Sequence, residues 1–438
     1  MNTYPSYKDS GVEWIGEIPN GWNIVKTKYM TSPRKELSDS GKEELLSVSE
    51  YLGVIPRSVI RKGKGSLSRS ESLIGYLKVY KGDLVNNIML MWKKGLGVSQ
   101  YDGIVSPAYS VFYFIESVPS YYHYLYRTDR YITEFRKNST GVIMSRLRLY
   151  DDDFGDIPSV KPPLQEQQQI SDYLDYKTSK IDTLIEKTQQ KIELLKEQRT
   201  SLINTTVTKG LNPNGEMKDS GVEWIGDIPS EWSVKRLKYT SKILPSNVDK
   251  HIFPEEIQVR LCNYTDVYYN ELIDENTQLT KGSCNQNEYN KFWLREGDVI
   301  ITKDSETSDD IGIPTEVKEN LTDVVCGYHL TLIRPLDVVG SYIFRFIQSD
   351  RIRRYFEINS DGVTRFGLGK PTIQNMYLPI PPLQEQQKIV DYLDLETSKI
   401  DKLVEIESKR IILLKEYRQS LISEVVTGKV DVRNEVLV

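Results

Sequence analysis

The sequence is poor in the residues that build disulfide frameworks, metal sites and many catalytic centres. Among 438 residues there are three cysteines and three histidines. Cys262, Cys284 and Cys326 all lie in the second half and lack CxxC spacing, so neither a disulfide framework nor a zinc site is expected. For each histidine, a structural role in the core or on the surface is the expected one.

The chain also lacks any hydrophobic run long enough to cross a bilayer. Its first residues show no basic region followed by an apolar stretch, which a secretory signal would need. We therefore expect a cytoplasmic protein without a membrane partner. The formal net charge of −5 argues against a chain that is basic throughout, although it allows a local basic face.

No catalytic or nucleotide-binding motif is found. The segment 367–371, GLGKP, is only superficially like a phosphate loop, because the glycine spacing is wrong and proline follows the lysine; a turn is predicted there. Gly82-Asp83 and Gly297-Asp298 could supply carboxylates to a nuclease, but a turn into a buried strand is favoured. By elimination, we expect a chain that binds rather than catalyses, with no metal or cofactor of its own.

What the sequence does contain is a duplicated frame. PPLQEQQQISDYLDYKTSKID begins at Pro162, and PPLQEQQKIVDYLDLETSKID begins 219 residues later, at Pro381. KDSGVEWIGEIPNGW begins at Lys8 and returns as KDSGVEWIGDIPSEW 210 residues later, at Lys218. The stretches between these segments are similar in length but diverged in sequence. This pattern suggests two domains that bind different things in equivalent geometry.

Each PPLQEQ segment is predicted to open a long helix. The proline pair and Glu166 or Glu385 in the first turn suit a helix N-terminus. The first helix, from Pro163 to about Thr205, would span roughly 60 Å. Each helix carries one narrow apolar seam, which predicts that the two copies pack as an antiparallel pair. The seam residues are Leu174, Ile181, Ile185, Ile192, Leu195 and Leu202 in the first helix and Leu393, Ile400, Val404, Ile411, Leu414 and Leu421 in the second. The pair could act as a spacer or only staple two domains together.

Polar residues interrupt both seams at equivalent places. Thr188 and Arg199 do so in the first helix, and Glu407 and Arg418 in the second. Such breaks can set the register of a helix pair or face a partner subunit.

The variable regions combine strand and helix patterns. Residues 104–114 and 324–333 are strand candidates, and residues 121–136 and 342–356 are helix candidates. We predict an α+β fold with two similar mixed α/β domains, joined by two long helices in an antiparallel coiled-coil-like pair, as a pseudo-two-fold internal repeat. The predicted parts are domain 1 (1–160), the first helix (161–208), domain 2 (209–379), the second helix (380–428) and a tail (429–438).

Basic residues interspersed with glycine and serine are candidates for DNA contact. They are Arg57, Arg61, Lys62, Lys64, Arg69, Lys93, Lys94 and Arg146 in the first domain, and Lys303, Arg365 and Lys370 in the second. Flexible loops carrying cations can follow phosphates, and arginine can also read guanine edges. Each charge alone could belong to an ordinary solvated face, so the signal comes from their occurrence in both domains.

With these segments in place, the chain resembles the specificity (S) subunit of Type I restriction-modification systems. The resemblance is carried by PPLQEQ leading into a long helix, the repeated VEWIGEIP and VEWIGDIP, the Gly-Asp turns, and the helix ends LLKEQRTSLI and LLKEYRQSLI followed by VTKG and VTGK. It covers essentially the whole chain. It implies two target recognition domains, each reading one half of a bipartite double-stranded DNA target, and a helix pair that sets the spacer and docks two methyltransferase (M) subunits.

The resemblance also implies where the chemistry of the assembly lies. The M subunits would carry S-adenosylmethionine and methylate adenine, and two motor-nuclease (R) subunits using ATP and Mg could join them for restriction. The chain itself would be a non-catalytic recognition subunit. A rival interpretation, supported by the net negative charge, is a protein-interaction scaffold related to this family that reads no DNA sequence.

Overall fold

A computed structural model of the chain describes residues 2–50, 52–60, 72–143 and 147–435. It forms two compact units, of which the first comprises Met1–Thr188 with Lys409–Val438 and the second comprises Gln189–Ser408. The division passes through both long helices. Each unit therefore holds one variable region, the beginning of one long helix and the end of the other.

The first unit contains twelve of the described strands and four short helices. The strands are β1 (Tyr7–Asp9), β2 (Glu17–Pro19), β3 (Asn23–Lys26), β4 (Thr31–Pro33), β5 (Leu46–Ser49), β6 (Gly53–Pro56), β7 (Leu77–Val79), β8 (Leu84–Asn87), β9 (Leu96–Val98), β10 (Gly103–Val105), β11 (Tyr109–Phe114) and β12 (Pro158–Lys161). The helices are α1 (Arg57–Ile60), α2 (Pro119–Tyr126), α3 (Asp129–Lys137) and α4 (Asp151–Asp156), followed by the long helix α5 (Leu164–Lys209), which continues into the second unit.

The second unit follows the same plan with more strands. They are β13 (Met217–Asp219), β14 (Asp227–Pro229), β15 (Ser233–Arg236), β16 (Ser241–Pro245), β17 (Ile257–Cys262), β18 (Leu272–Ile273), β19 (Thr280–Cys284), β20 (Trp293–Leu294), β21 (Val299–Thr302), β22 (Asp304–Ser305), β23 (Pro314–Val317), β24 (Leu321–Cys326), β25 (Leu330–Pro335), β26 (Phe366–Gly367) and β27 (Tyr377–Ile380). Its helices are α6 (Tyr264–Tyr269), α7 (Gln286–Phe292), α8 (Gly340–Ile347), α9 (Asp350–Asn359) and α10 (Lys370–Asn375), followed by the long helix α11 (Leu383–Val426), which continues into the first unit.

Each unit is built on a sheet whose central strands have the same order. The order is β4-β11-β8-β9 in the first unit and β16-β25-β21-β23-β18 in the second. The central strands β8 and β21 are buried on both faces. In β8, Leu84 enters one apolar cluster and Val85 another; in β21, Val299 and Ile300 divide in the same way. The mixed α/β class predicted from the sequence is confirmed.

Two of the predicted strands and both predicted helices are shorter in the structure than expected. Residues 104–114 form β10 and β11, and residues 324–333 form parts of β24 and β25, each with a turn between the two strands. The predicted helices break at Thr128 and Ser349. Both hydroxyls are buried and donate to the carbonyl three residues earlier, at 2.8 and 2.6 Å, and so compete with the helical hydrogen bonds.

The repeated PPLQEQ segment joins each variable region to a long helix through a buried glutamine. In the first unit, Oε1 of Gln167 accepts from the Val118 N–H at 2.9 Å, and Nε2 donates to the first proline of its segment at 2.8 Å. Gln386 makes the same two bonds in the second unit, with Val339 as the N–H donor at 2.9 Å. A buried amide needs both partners, which is a physical reason for the identical sequence at this junction.

The other repeated segment covers the end of a long helix. Gly210 follows α5 with φ +68°, and Gly428 lies just beyond α11 with φ +76°. A Cβ on Gly210 would lie 3.2 Å from Trp232, and one on Gly428 would lie 3.0 Å from Trp22. Only glycine meets both requirements, a left-handed backbone and no side chain against the tryptophan.

The two long helices pack antiparallel in the second unit. Lys191 of α5 pairs with Glu407 of α11 at 2.6 Å, and Arg199 of α5 pairs with Asp401 of α11 at 3.0 Å. The residue number in α11 falls as the residue number in α5 rises, as expected for an antiparallel pair. Glu407 and Arg199, two of the polar interruptions, therefore form ion pairs between the helices.

The predicted seam follows the buried side of both helices, with some of its residues only partly covered. Leu174, Ile181, Ile192, Leu195, Leu393, Ile400 and Leu421 are buried, whereas Ile185, Leu202, Val404, Ile411 and Leu414 are partly buried. Towards the end of α5 the buried positions are Ile203 and Val207, and towards the end of α11 they are Ile422 and Val425. These end residues pack into the cluster of the unit in which each helix ends.

Candidate nucleic-acid interface

One edge of the second unit gathers polar side chains from three distant segments. Strand β22 pairs with β26, which places Asp304 opposite Gly367. The Lys303 N–H donates to the His329 carbonyl at 3.0 Å, and the Leu368 N–H donates to the Lys303 carbonyl at 2.7 Å. Backbone bonds thus fix the positions of these side chains on a rigid edge.

Asp304 is the centre of this group. Its Oδ2 lies 2.5 Å from Nδ1 of His329, and its Oδ1 accepts from Nη2 of Arg365 at 2.7 Å. The Asp304 side chain is 16% exposed and the His329 side chain 24%, while that of Arg365 is 60% exposed. The hydrogen bond to Asp304 raises the pKa of Arg365 above its usual value. We name Asp304, His329 and Arg365 the carboxylate-centred cluster.

Tyrosine rings and a lysine surround this cluster. The Tyr328 ring contacts the His329 ring with centroids 3.6 Å apart, and Nζ of Lys303 lies 5.6 Å from the Tyr328 centroid. Tyr264 and Tyr268 stack with centroids 5.7 Å apart. Burial is the main cause that raises the pKa of Tyr264, with smaller effects from the nearby Asp304 and Arg365. Aromatic faces beside arginine are typical of surfaces that bind nucleic acids.

His329 has a left-handed backbone, with φ +72°. Non-glycine residues in this region are uncommon, and their strain often occurs at functional sites. The residue lies in the turn between β24 and β25, directly before the first residue of β25. Its ring is thereby directed at Asp304 by the turn itself.

The equivalent edge of the first unit has a different composition. There the Leu149 N–H donates to the Ile88 carbonyl at 3.0 Å, matching the bond between Leu368 and Lys303 in the second unit. The residues that follow Ile88 include the exposed Met89 and Leu90. Near them, Nζ of Lys93 lies 4.8 Å from the centroid of the Trp92 ring. Among the described residues, this edge has Met89 at the place of Asp304 and offers apolar contact and the exposed Lys93, whereas the second unit offers an aspartate and a histidine.

The structure places the predicted basic residues in several environments. Lys303 and Arg365 come together at the edge of the second unit, and the exposed Lys370 begins α10 close by in the chain. Lys93 is exposed, Lys94 pairs with Asp129 at 2.7 Å, and Arg57 is partly buried at the start of α1. Arg61, Lys62, Lys64, Arg69 and Arg146 lie outside the described residues, and their DNA contacts stay predictions.

No binding site was predicted at His329 or Asp304 from the sequence. The pair lies 25 residues apart in the chain and is joined only through strand pairing. The sequence gives a single weak signal for them: Asp304 lies two residues after the buried strand β21, and His329 lies three residues after β24. That signal does not distinguish them from other polar residues at strand ends.

The two Gly-Asp carboxylates belong to the scaffold, as the favoured interpretation held. Asp83 and Asp298 are both buried. Each is bonded to an arginine, with Arg34 Nε to Asp83 Oδ2 at 2.6 Å and Arg334 Nη2 to Asp298 Oδ2 at 2.7 Å. Each also accepts the backbone N–H three residues earlier, at 2.9 Å, which closes the turn. Both carboxylates therefore serve to hold the turn and the paired arginine in place.

The predicted turn at residues 367–371 is in fact a strand end followed by α10, with Pro371 in the first turn of that helix. Across the described ranges, no group of three or more His, Cys, Asp and Glu is arranged to hold a metal ion. Nor does that part of the chain contain a helix that is long and apolar enough to cross a membrane.

Comparison with known proteins finds relatives of this chain. The family model for the Type I restriction modification DNA specificity domain matches residues 229–416. The Type I restriction enzyme MjaVIII specificity subunit of Methanocaldococcus jannaschii is 23% identical over 286 residues, which is 64% of this chain and 64% of that protein. The chain is therefore similar to the specificity subunits of Type I restriction-modification systems, and its residues 229–416 match the DNA specificity domain of that family.

Two solved structures share the fold of this chain. One comes from work on complex assembly and conformational transition of the type I R-M system; it is 17% identical, with a TM-score of 0.65, and the match covers 94% of this chain and 99% of the other. The other is the HsdS subunit of Thermoanaerobacter tengcongensis, 17% identical with a TM-score of 0.54, covering 94% and 98%. By sequence, the match to the MjaVIII subunit spans less than two thirds of that relative's length.

Proposed function

We propose that this chain is the DNA-reading subunit of a Type I restriction-modification assembly, with each unit reading one half of a bipartite target. One observation carries the proposal. The two units share a sheet order and a hydrogen bond that fixes one edge, yet the described residues on that edge differ, with Met89 at the place of Asp304. Different readers on equivalent scaffolds are what a target with two unlike halves requires.

In this proposal the helix pair sets the distance between the two half-sites. Support comes from reciprocal ion pairs at equivalent positions of the duplicated helices. Asp182 pairs with Arg418 at 2.9 Å in the first unit, and Asp401 pairs with Arg199 at 3.0 Å in the second. Exposed ion pairs contribute little stability, and a role in fixing the register of the pair suits them better.

The long helices also offer surface to the M subunits. Leu194 on α5 and Ile406, Ile412 and Leu413 on α11 are large apolar residues that are more than half exposed. Exposed apolar side chains on a helix favour a protein partner. We assign these positions to the docking of two methyltransferase subunits, which would bring S-adenosylmethionine; R subunits with ATP and Mg would add restriction.

The experiment is co-expression of this chain with the methyltransferase encoded beside it, followed by sequencing that detects methyladenine directly. Methylation at a split motif with a fixed gap supports the proposal and identifies both half-sites. A stable complex without new methylation, and without preference for any duplex over a scrambled one, favours the scaffold alternative. The affinity for DNA should fall steeply with salt whether binding is sequence-specific or non-specific, so the preference for one duplex sequence is the deciding result.

A further inference from the structure

We propose that Arg365, oriented by Asp304 and His329, reads a guanine in the half-site bound by the second unit. The inference rests on the proposed function and makes it specific to one side chain and one base. Arginine recognises guanine by two parallel donations to O6 and N7. In the exposed guanidinium of Arg365, Nη2 donates to Asp304 at 2.7 Å and lies 3.3 Å from Nδ1 of His329, and the Nη1 and Nε donors are directed elsewhere, towards a ligand.

The neighbourhood of Arg365 suits a base better than a phosphate. The Asp304 carboxylate lies 2.7 Å from its guanidinium, and Asp310, which accepts from the Tyr268 hydroxyl at 2.8 Å, adds a second acid to the same edge. These two carboxylates offset the positive charges of Arg365 and Lys303 at this edge and leave little net attraction for a phosphate, whereas a base edge is neutral. A carboxylate beside the reading arginine therefore favours base contact over backbone contact.

Asp304 also restrains Arg365 before DNA arrives. A free arginine side chain loses rotamer entropy when it binds, and the bond to Asp304 removes part of that loss in advance. Asp304 is itself held, because its second oxygen lies 2.5 Å from Nδ1 of His329. The strained turn at His329 fixes that ring, so the order of support runs from the backbone through His329 and Asp304 to Arg365.

Another arginine of the second unit pairs with an aspartate outside the carboxylate-centred cluster. Arg260 donates two bonds to Asp323, at 2.7 and 3.0 Å. That pair lies on strands β17 and β24, in the other sheet of the unit, away from the carboxylate-centred cluster. It gives a matched control with the same chemistry in a different place.

The test uses the full chain assembled with its methyltransferase and a panel of duplexes in which each base pair of the mapped motif is changed in turn. Arg365→Ala should relax the requirement at one G·C pair of one half-site by roughly 10- to 100-fold, and the other half-site should stay strict. Arg365→Lys should relax the same pair, because lysine cannot make the two-bond contact. Arg260→Ala should leave the motif unchanged.

Asp304→Asn separates positioning from simple structural support. It should relax the same base pair by less than Arg365→Ala does, while binding to non-specific DNA becomes tighter because a carboxylate has been removed. A merely structural residue would weaken both kinds of binding.

Two results would overturn the inference while the proposed function stands. In the first, Arg365→Ala keeps the wild-type motif and its methylation rate falls equally on every duplex. In the second, Arg365→Ala relaxes the requirement at no G·C pair of either half-site. The absence of any split-motif methylation by the wild-type assembly would overturn the proposed function, and the inference with it.

Discussion

Each unit pairs a buried aspartate with an arginine, but the two arginines come from different places in the sheet. In both, a glycine with positive φ precedes a buried aspartate that leads into the central strand. In the second unit its partner is Arg334 on β25, the strand next to β21. In the first unit the strand equivalent to β25 is β11, and it carries Tyr113 at the matching place. Arg34, just beyond β4, supplies the charge instead and lies over the Tyr113 ring at 5.3 Å.

This difference shows what the duplicated scaffold must preserve and what it can change. A buried carboxylate must be paired, since an unpaired one is costly. The strand that supplies the arginine can differ, because any strand that reaches the turn can place a positive charge beside the aspartate. The junctions behave in the opposite way: Gln167 and Gln386 make identical bonds in identical sequence. The two units therefore differ in sequence where several neighbouring residues can make the required contact, and they agree where only one residue can.

The largest expected difference between the units comes from removing these arginines. Arg334→Ala should cost about 3–5 kcal/mol, because it leaves a charge unpaired where the Asp298 side chain is 1% exposed. Arg34→Ala should cost about 1–3 kcal/mol, because Arg34 is more exposed at 24% and water can replace it. Amide hydrogen exchange in β21 and β8 would report each unit separately. Equal losses would show that the two pairs are energetically alike.

The glycines that end the long helices should also differ. Gly428→Ala places a Cβ 2.5 Å from Pro19 at φ +76°, so the strain of a left-handed alanine adds to overpacking, about 2–4 kcal/mol in all. Gly210→Ala has its nearest contact at 3.1 Å, from a flexible Glu385 side chain, and should cost about 1–2 kcal/mol. Urea unfolding of the two variants beside wild type tests the order. A larger loss of unfolding free energy for Gly210→Ala would mean that Pro19 shifts away from the new Cβ at residue 428 at little cost.

A smaller difference should appear on acidification. Burial, with a smaller effect from Arg127, lowers the pKa of His123 to about 3, and Nδ1 accepts from the Val98 N–H at 3.2 Å. The unfolded histidine binds a proton near pH 6.5, so the stabilisation is present above that pH and declines as the pH falls towards 3. Since His123 is only partly covered, about 1–2 kcal/mol should be lost by pH 5.

The second unit has Phe344 at the place of His123, which suggests the control for this pH effect. The alignment follows from Tyr121 and Tyr342, whose hydroxyls each donate to a carbonyl at the end of a long helix. His123→Phe should flatten the change in unfolding free energy between pH 7 and pH 5. A variant whose stability falls as steeply as that of wild type would assign the acid sensitivity to other groups.

Local sequence patterns were enough to predict the frame of the molecule. The long helices begin at Leu164 and Leu383, directly after the predicted proline pairs, and the Gly-Asp turns enter buried strands. The breaks at Thr128 and Ser349 were missed because a hydroxyl in a helical pattern gives no sign that it will bond to its own backbone.

The edge that carries the carboxylate-centred cluster was harder to predict. Arg365 and Lys303 were found as isolated cations, whereas the cluster also needs Asp304 and His329, which only strand pairing brings near. Nothing local in the sequence records that pairing. Periodicity shows which face of a strand is buried, but it does not show which distant loop will lie beside the strand end.

The central claim is that two readers are held apart by a helix pair of fixed length, and a paired insertion tests it most directly. Four residues added after Gln190 and four more after Lys409, its duplicate position, would lengthen both helices by roughly 6 Å. With about 3.4 Å per base pair, the methylated motif should keep both half-sites while its gap grows by about two base pairs. Methylation that retains the original gap would contradict the account.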